Sequence, residues 1–311
     1  MRHGITPAES TKELRLQNCV GTVFGLECFG KQEEAQQTVM TLLTRSLASL
    51  AAAYVVTLVG LAVFQRRLQY FPDRRLTDLA QTGMSGGEEL RLTTADGETL
   101  VAWHFPSKAG RPLILYFHGN AGALVDRVPR FRMFTASGYG VLAVSYRGYG
   151  GSTGSPTQSG LMQDGEAAYR EARARGYDGD RIILMGASLG TGVAIALAAT
   201  HEAAALVLEA PYLSALDVAS RHYKIFPVRW LMLDQFRSDL AIRDVHVPVL
   251  VVHGEEDNVI PISSAKRLFE LANEPKTFVS VPGGNHLVLG LADVFLRLCE
   301  WIDARTTLAR P

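Results

Sequence analysis

A serine hydroxyl becomes a useful nucleophile only when a base can take its proton and a carboxylate can hold that base in place. The chain carries candidates for all three roles, far apart in sequence. Ser188 lies in Gly186-Ala187-Ser188-Leu189-Gly190, an acidic loop Glu255-Glu256-Asp257 follows, and His286 comes last in Pro282-Gly283-Gly284-Asn285-His286. Such a set would perform acyl transfer: attack of the hydroxyl on a carbonyl, a covalent acyl-serine, then release by water.

The pattern Gly-x-Ser-x-Gly is weak by itself. It also occurs at Gly83-Met84-Ser85-Gly86-Gly87 and at Gly150-Gly151-Ser152-Thr153-Gly154. Neither is framed by a strand that feeds it and a helix that leaves it. Ser188 is framed in that way: the apolar run Ile182–Met185 leads in and Leu189–Thr200, a good helical pattern, leads out. A sharp strand-to-helix turn lifts the hydroxyl clear of a sheet and aims the Leu189 N–H at a developing oxyanion. A second N–H is expected from the loop His118-Gly119-Asn120-Ala121-Gly122, with Asn120 the favoured donor over Ala121. A plain glycine turn is the alternative for each loop.

The elements that must carry these residues follow from periodicity. Glu89–Thr94 and Thr99–Phe105 alternate apolar and polar residues around Asp96-Gly97, a hairpin signal. Short continuous apolar runs then recur at Leu113–Phe117, Val141–Val144, Ile182–Met185, Ala205–Leu208, Val249–Val252 and Thr277–Val281. Runs of this kind suit strands covered on both faces. Between them, Val125–Ser137, Gln158–Arg175, Leu189–Thr200, Ser263–Ala272 and Leu287–Ala304 repeat apolar residues at helical spacing. The alternation predicts an α/β fold: a mostly parallel sheet with an antiparallel N-terminal hairpin and helices on both faces. The Asp257 and His286 loops both leave the carboxyl ends of strands, the edge where ligand sites form in such sheets. His118 and His253 each end a strand before a glycine and are expected to hold loops.

The stretch 47–64, LASLAAAYVVTLVGLAVF, has no charged residue. As a helix it is about 27 Å long, near the roughly 30 Å of a bilayer core. It ends on Gln65-Arg66-Arg67 and lacks a small-residue cleavage site, so an uncleaved transmembrane helix is expected in place of a signal peptide. Arg66, Arg67, Arg74 and Arg75 outnumber the upstream Lys31 and Arg45, which favours a cytoplasmic catalytic domain. Residues 1–46 are expected as an N-terminal extension without clear pattern, disordered or absent if Met40 is the true start, and 88–305 as the catalytic domain.

Lys plus Arg and Asp plus Glu balance at 31 each, so no basic excess points to nucleic acid. Cys19, Cys28 and Cys299 have neither metal-ligand spacing nor a framework pattern. No metal is expected, and Cys299 reads as a small buried hydrophobe.

FQRRLQYFPDRR, YFHGNAG, SYRGYGGSTGSP, MGASLGTGVA, LEAPY, VPVLVVHGEEDNVIP and GGNH appear in one order along the chain. In these motifs the sequence resembles the α/β-hydrolases, most closely the single-pass, membrane-anchored branch often classed beside the serine aminopeptidases. The resemblance runs from about Phe64 to Ala304. It implies a Ser-Asp-His triad of Ser188, Asp257 and His286, with Asp257 preferred over Glu255 and Glu256. It also implies hydrolysis of ester, thioester or amide bonds without a cofactor.

The segment between Pro211 and Val247 is too short for a large lid. Phe226, Trp230, Leu233 and Phe236 recur there at roughly helical spacing. One helix face packed on the core is the plainer reading, and an apolar wall for an acyl chain, at Phe226, Trp230 and Leu233, is the sharper one. The expected partners are a lipid bilayer and a small ester, thioester or lipid-like substrate. A small-peptide peptidase and a non-catalytic membrane scaffold are the rival readings.

Overall fold

The computed structural model describes residues 7–306, with side chains from residue 31 onward. The side chains of Cys19 and Cys28 therefore lie outside the described residues. The chain divides into two compact units, Met1–Leu61 and Ala62–Pro311.

Helix α1 runs Pro7–Gln69. Its part Lys31–Gln69 is long and apolar enough to cross a membrane, and the apolar window is unburied. The helix begins well upstream of the expected span. The stretch KQEEAQQTVMTLLTRS that precedes the apolar run is rich in good helix formers, which explains why no break falls at its edge.

The second unit holds an eight-stranded sheet. Its strands are β1 (Glu88–Thr93), β2 (Thr99–Phe105), β3 (Leu113–Phe117), β4 (Gly140–Val144), β5 (Ile182–Ala187), β6 (Ala205–Glu209), β7 (Val249–Gly254) and β8 (Lys276–Val281). They lie in the order β8-β7-β6-β5-β3-β4-β2-β1. β1 and β2 pair antiparallel, as do β2 and β4, and the other neighbours are parallel. The remaining helices are α2 (Val128–Ala136), α3 (Gln158–Ala174), α4 (Leu189–Ala198), α5 (Ala215–His222), α6 (Val228–Leu231), α7 (Ser238–Ala241), α8 (Ile262–Leu271) and α9 (Ala292–Thr306).

The period of two in a strand sends alternate side chains to opposite faces. In β3, Leu113, Leu115 and Phe117 enter one core while Ile114 and Tyr116 enter the other. The first core is closed by Leu161 and Ala168 of α3, Val193 of α4 and Leu268 of α8. The second is closed by Phe131 and Phe134 of α2 and by Phe295, Leu298 and Ile302 of α9, with Cys299 packed at its edge. Every residue of β3, β4, β5, β6 and β7 is buried, which is why their sequences read as apolar runs, broken only by Glu209 at the end of β6 and His253 near the end of β7.

Two segments differ from the sequence pattern. Leu287–Leu291 is not the start of α9, because the N–H groups of Val288 and Leu289 donate to the buried Glu209 carboxylate, at 2.9 and 2.8 Å, instead of entering a helix. The stripe at Phe226–Phe236 is not one helix face. It breaks into the single turn α6, capped by Pro227, and Phe236 sits beyond it at φ 42°.

The stretch between α1 and β1 is also part of the second unit. Tyr70 and Leu79 are buried, and Phe71-Pro72 forms a two-residue parallel pairing with Ala121-Gly122.

Candidate active site

β5 is flanked on both sides and ends at Ala187, and Ser188 follows at φ 50°, ψ −119° before α4 begins. A non-glycine residue in that region costs on the order of 1–3 kcal/mol, so the surroundings must impose it. They do: the Ser188 N–H donates to Glu209 O at 2.9 Å, and Ser188 O accepts from the Thr191 N–H at 2.9 Å. The flanking glycines make the turn sterically possible. A Cβ on Gly186 would stand 2.6 Å from Thr191 Cα, and one on Gly190 would stand 2.6 Å from the Phe117 carbonyl carbon. As N-cap of α4, Ser188 makes no side-chain capping bond, so Oγ is left for other chemistry.

Its partner is His286. The distance from His286 Nε2 to Ser188 Oγ is 3.0 Å, and from His286 Nδ1 to Asp257 Oδ2 it is 2.8 Å. The structure thus joins the loops after β5, β7 and β8 at one point. The carboxylate is buried, while Glu255 and Glu256 beside it are exposed. Asp257 Oδ1 accepts from the N–H groups of Val259 and Ile260 at 2.8 and 2.9 Å. His253 Nε2 lies 3.2 Å from Asp257 Oδ2 and 2.9 Å from Ile260 O. Burial pushes the Asp257 carboxyl up, but the hydrogen bonds from His253, His286 and Ile260 outweigh it and hold it well below the usual carboxylate range. An ionised Asp257 fixes Nδ1 of His286 as the protonated nitrogen and leaves Nε2 to face the serine.

The other expected loop lies against the same serine. A Cβ on Gly119 would stand 3.4 Å from Ser188 Cβ. The Leu189 N–H belongs to the first turn of α4, where no helical acceptor exists for it. Asn120 is held on two sides. Its Nδ2 donates to Gln69 O at 2.8 Å, and its carbonyl accepts from the Phe71 N–H at 3.1 Å and from the Tyr149 hydroxyl at 2.8 Å. His118 donates through Nδ1 to Gly119 O at 2.6 Å and accepts the Tyr146 N–H at Nε2, 3.3 Å away. Burial pushes its imidazole down to about 4, so it stays neutral and acts as a strut.

Glu209 is a further residue of the site, beyond those expected from the motifs. Its backbone carbonyl holds the Ser188 N–H, and its carboxylate holds the two N–H groups that follow the His286 turn. Arg130 of α2 pairs with that carboxylate in the core, Nη2 to Oε1 at 3.0 Å. A charged residue at the end of the apolar run ALVLE was the available signal. The other two glycine-serine patterns have different fates: Ser85 is exposed in an irregular loop, and Ser152 Oγ donates to Ser145 O at 2.8 Å. Trp230 and Leu233 point to solvent, and Phe226 is half-buried.

An eight-stranded, mostly parallel sheet with a serine elbow at the end of its fifth strand, facing a strand-end histidine, defines an α/β-hydrolase. Residues 109–238 match the family model described as serine aminopeptidase, S33. An uncharacterised protein of Mycobacterium tuberculosis is 38% identical over 247 residues, covering 78% of this chain and 86% of that one. A lysophosphatidylserine lipase of Xenopus tropicalis is 33% identical over 198 residues, covering 57% of this chain and about half, 51%, of the lipase. Among solved structures, an esterase of Pyrococcus furiosus superposes with a TM-score of 0.61 at 16% identity, over 76% of this chain and 97% of the esterase. The chain belongs to the α/β-hydrolase family and is a serine hydrolase.

Proposed function

We propose that the chain is a membrane-anchored hydrolase of carboxylic esters or thioesters of lipid-like molecules, working through Ser188, His286 and Asp257. The observation that carries this reading is the unbroken line from Ser188 Oγ to His286 Nε2, at 3.0 Å, and from His286 Nδ1 to Asp257 Oδ2, at 2.8 Å.

As Ser188 Oγ attacks the substrate carbonyl, its proton moves to His286 Nε2, and Asp257 stabilises the imidazolium that results. The N–H groups of Leu189 and Asn120 receive the oxyanion. The imidazolium then protonates the leaving alcohol or thiol, and the acyl group remains on Ser188. Water gives a proton to His286 as it attacks the acyl-serine, and the proton returns to Ser188 as the acid departs.

The lipid-like substrate class is supported by two features. One is the apolar helix at the head of the chain. The other is the likeness to a lysophosphatidylserine lipase over part of that protein. An acyl-chain wall is carried forward at Phe226 alone, since Trp230 and Leu233 stand in solvent. The arginines at Arg66, Arg67, Arg74 and Arg75 favour the cytoplasmic side for the catalytic unit.

A panel of p-nitrophenyl esters of graded chain length, acyl-thioesters and aminoacyl anilides tests the reading on full-length protein in detergent. Ester or thioester turnover that rises with chain length and vanishes in Ser188→Ala is expected. Turnover confined to the anilides would make the protein a peptidase instead.

A further inference from the structure

Residues 225–233 run IFPVRWLML, an apolar string with one cation. A globular unit normally buries such a string. Here Ile225 is 76% exposed, Trp230 85% and Leu233 65%. Scattered exposed apolar residues are ordinary, but three such residues within nine positions, a tryptophan among them, suit an interaction surface.

The backbone under this set is fixed. Gln65 Nε2 donates to Leu231 O at 3.1 Å, and Gln65 Oε1 accepts the Leu233 N–H at 2.7 Å. Gln69 Nε2 donates to Asp234 O at 2.9 Å. Asp234 Oδ2 accepts from Arg66 Nε at 3.0 Å and from the Tyr70 hydroxyl at 3.1 Å. The apolar string is therefore splinted to the residues that directly follow the apolar run 47–64. Gln65, Arg66 and Gln69, which hold the string, are the residues that follow that run in the chain.

Charge points to the same partner. Between His222 and Phe236 the cations Lys224 and Arg229 are exposed, and the one acid, Asp234, is buried against Arg66. The rim is thus net positive, and Arg67 lies next to the splint. A tryptophan flanked by cations beside the end of a span suits the headgroup region of a membrane with anionic lipid.

We propose that residues 225–233 form a second membrane contact, with Trp230 and Leu233 entering the interfacial layer of the bilayer that holds the anchor, and Lys224 and Arg229 at anionic headgroups. The splint links this contact to the site, because Gln69, which holds Asp234 O, also accepts Asn120 Nδ2 through its carbonyl. The contact itself does not depend on the ester-hydrolase reading.

Tryptophan fluorescence gives a direct test. The chain has three tryptophans, and Trp103 and Trp301 are buried. Full-length protein is placed in nanodiscs of phosphatidylcholine with phosphatidylglycerol, in which a fraction of the lipid is brominated near the headgroup end of its acyl chains. The expected result is strong quenching in the native chain, most of it absent in Trp230→Phe, with an unchanged thermal midpoint. Lys224→Glu with Arg229→Glu should reduce the quenching in these discs. Equal fractional quenching of the native chain and Trp230→Phe would overturn the proposal, as would quenching only by lipid brominated near the chain methyl.

Discussion

Two histidines converge on Asp257, and they do different work. His286 bridges Asp257 to Ser188, while His253 lies buried and shares its Nε2 proton between Asp257 and Ile260 O. Asp257→Asn keeps the volume but loses the charge that sets the His286 tautomer, so kcat should fall about ten-thousand-fold with a smaller change in KM. Steady-state kinetics on full-length protein checks this. His118 gives a second test, on stability. Its imidazole is lowered to about 4 from an ordinary value of 6.5. The folded state therefore binds fewer protons than the unfolded state between those values. The stability that the neutral ring contributes is full above about pH 6.5 and is lost as pH falls toward about 4. Asp164, raised to about 6 by burial, acts in the same window with the opposite sign, so the His118 contribution is the difference between two pH profiles: the thermal midpoint of the native chain should drop relative to that of His118→Asn as pH falls from about 6.5 to about 4. Asp257 is lowered from 3.8, so its own contribution is lost only in more acid solution and does not confuse the test.

The elements that carry these residues were mostly legible in the sequence. β3 was readable to the residue because burial on both faces leaves an unbroken apolar run, LILYF. The elbow was readable because a strand and a helix frame it. Three things were not, each because a long-range partner decides the local structure. Leu287–Leu291 has a helical apolar pattern, yet Glu209, far away in sequence, captures its N–H groups. The string at Phe226–Phe236 has helical spacing, yet its backbone is held by Gln65 and Gln69. Residues 65–73 lie outside both the expected helix 47–64 and the expected catalytic domain 88–305, yet they brace the Asn120 loop. The last two points predict an effect of the brace on rate. Asn120→Ala keeps the backbone N–H but loses the tether to Gln69, so kcat should drop on the order of ten- to a hundred-fold, with KM moving less. The buried pair Arg130–Glu209 makes a prediction about folding. Arg130→Met would leave Glu209 charged and unpaired in the core and should cost about 3–5 kcal/mol, measured by urea unfolding. Arg130→Met combined with Glu209→Gln should recover part of that loss.

At the scale of the whole chain, a serine hydrolase follows a helix able to cross a membrane, and the residues between them are structural parts of the catalytic unit. Cutting the chain between Phe64 and Asp73 should therefore weaken the catalytic unit itself, unlike removal of a passive tether. A truncation that starts at residue 62 should keep more activity on a soluble ester than one that starts at residue 75. The proposed cytoplasmic side is checked by protease protection in sealed right-side-out vesicles, where the catalytic unit should resist digestion until the vesicles are opened. A fluorophosphonate probe on the full-length protein, with the modified peptide identified by mass spectrometry, shows whether Ser188 is the nucleophile and whether His286 activates it. One labelled residue, Ser188, is expected, with labelling abolished in Ser188→Ala and strongly slowed in His286→Ala. Labelling at Ser85 or Ser152, or labelling of Ser188 that is indifferent to His286, would contradict that expectation.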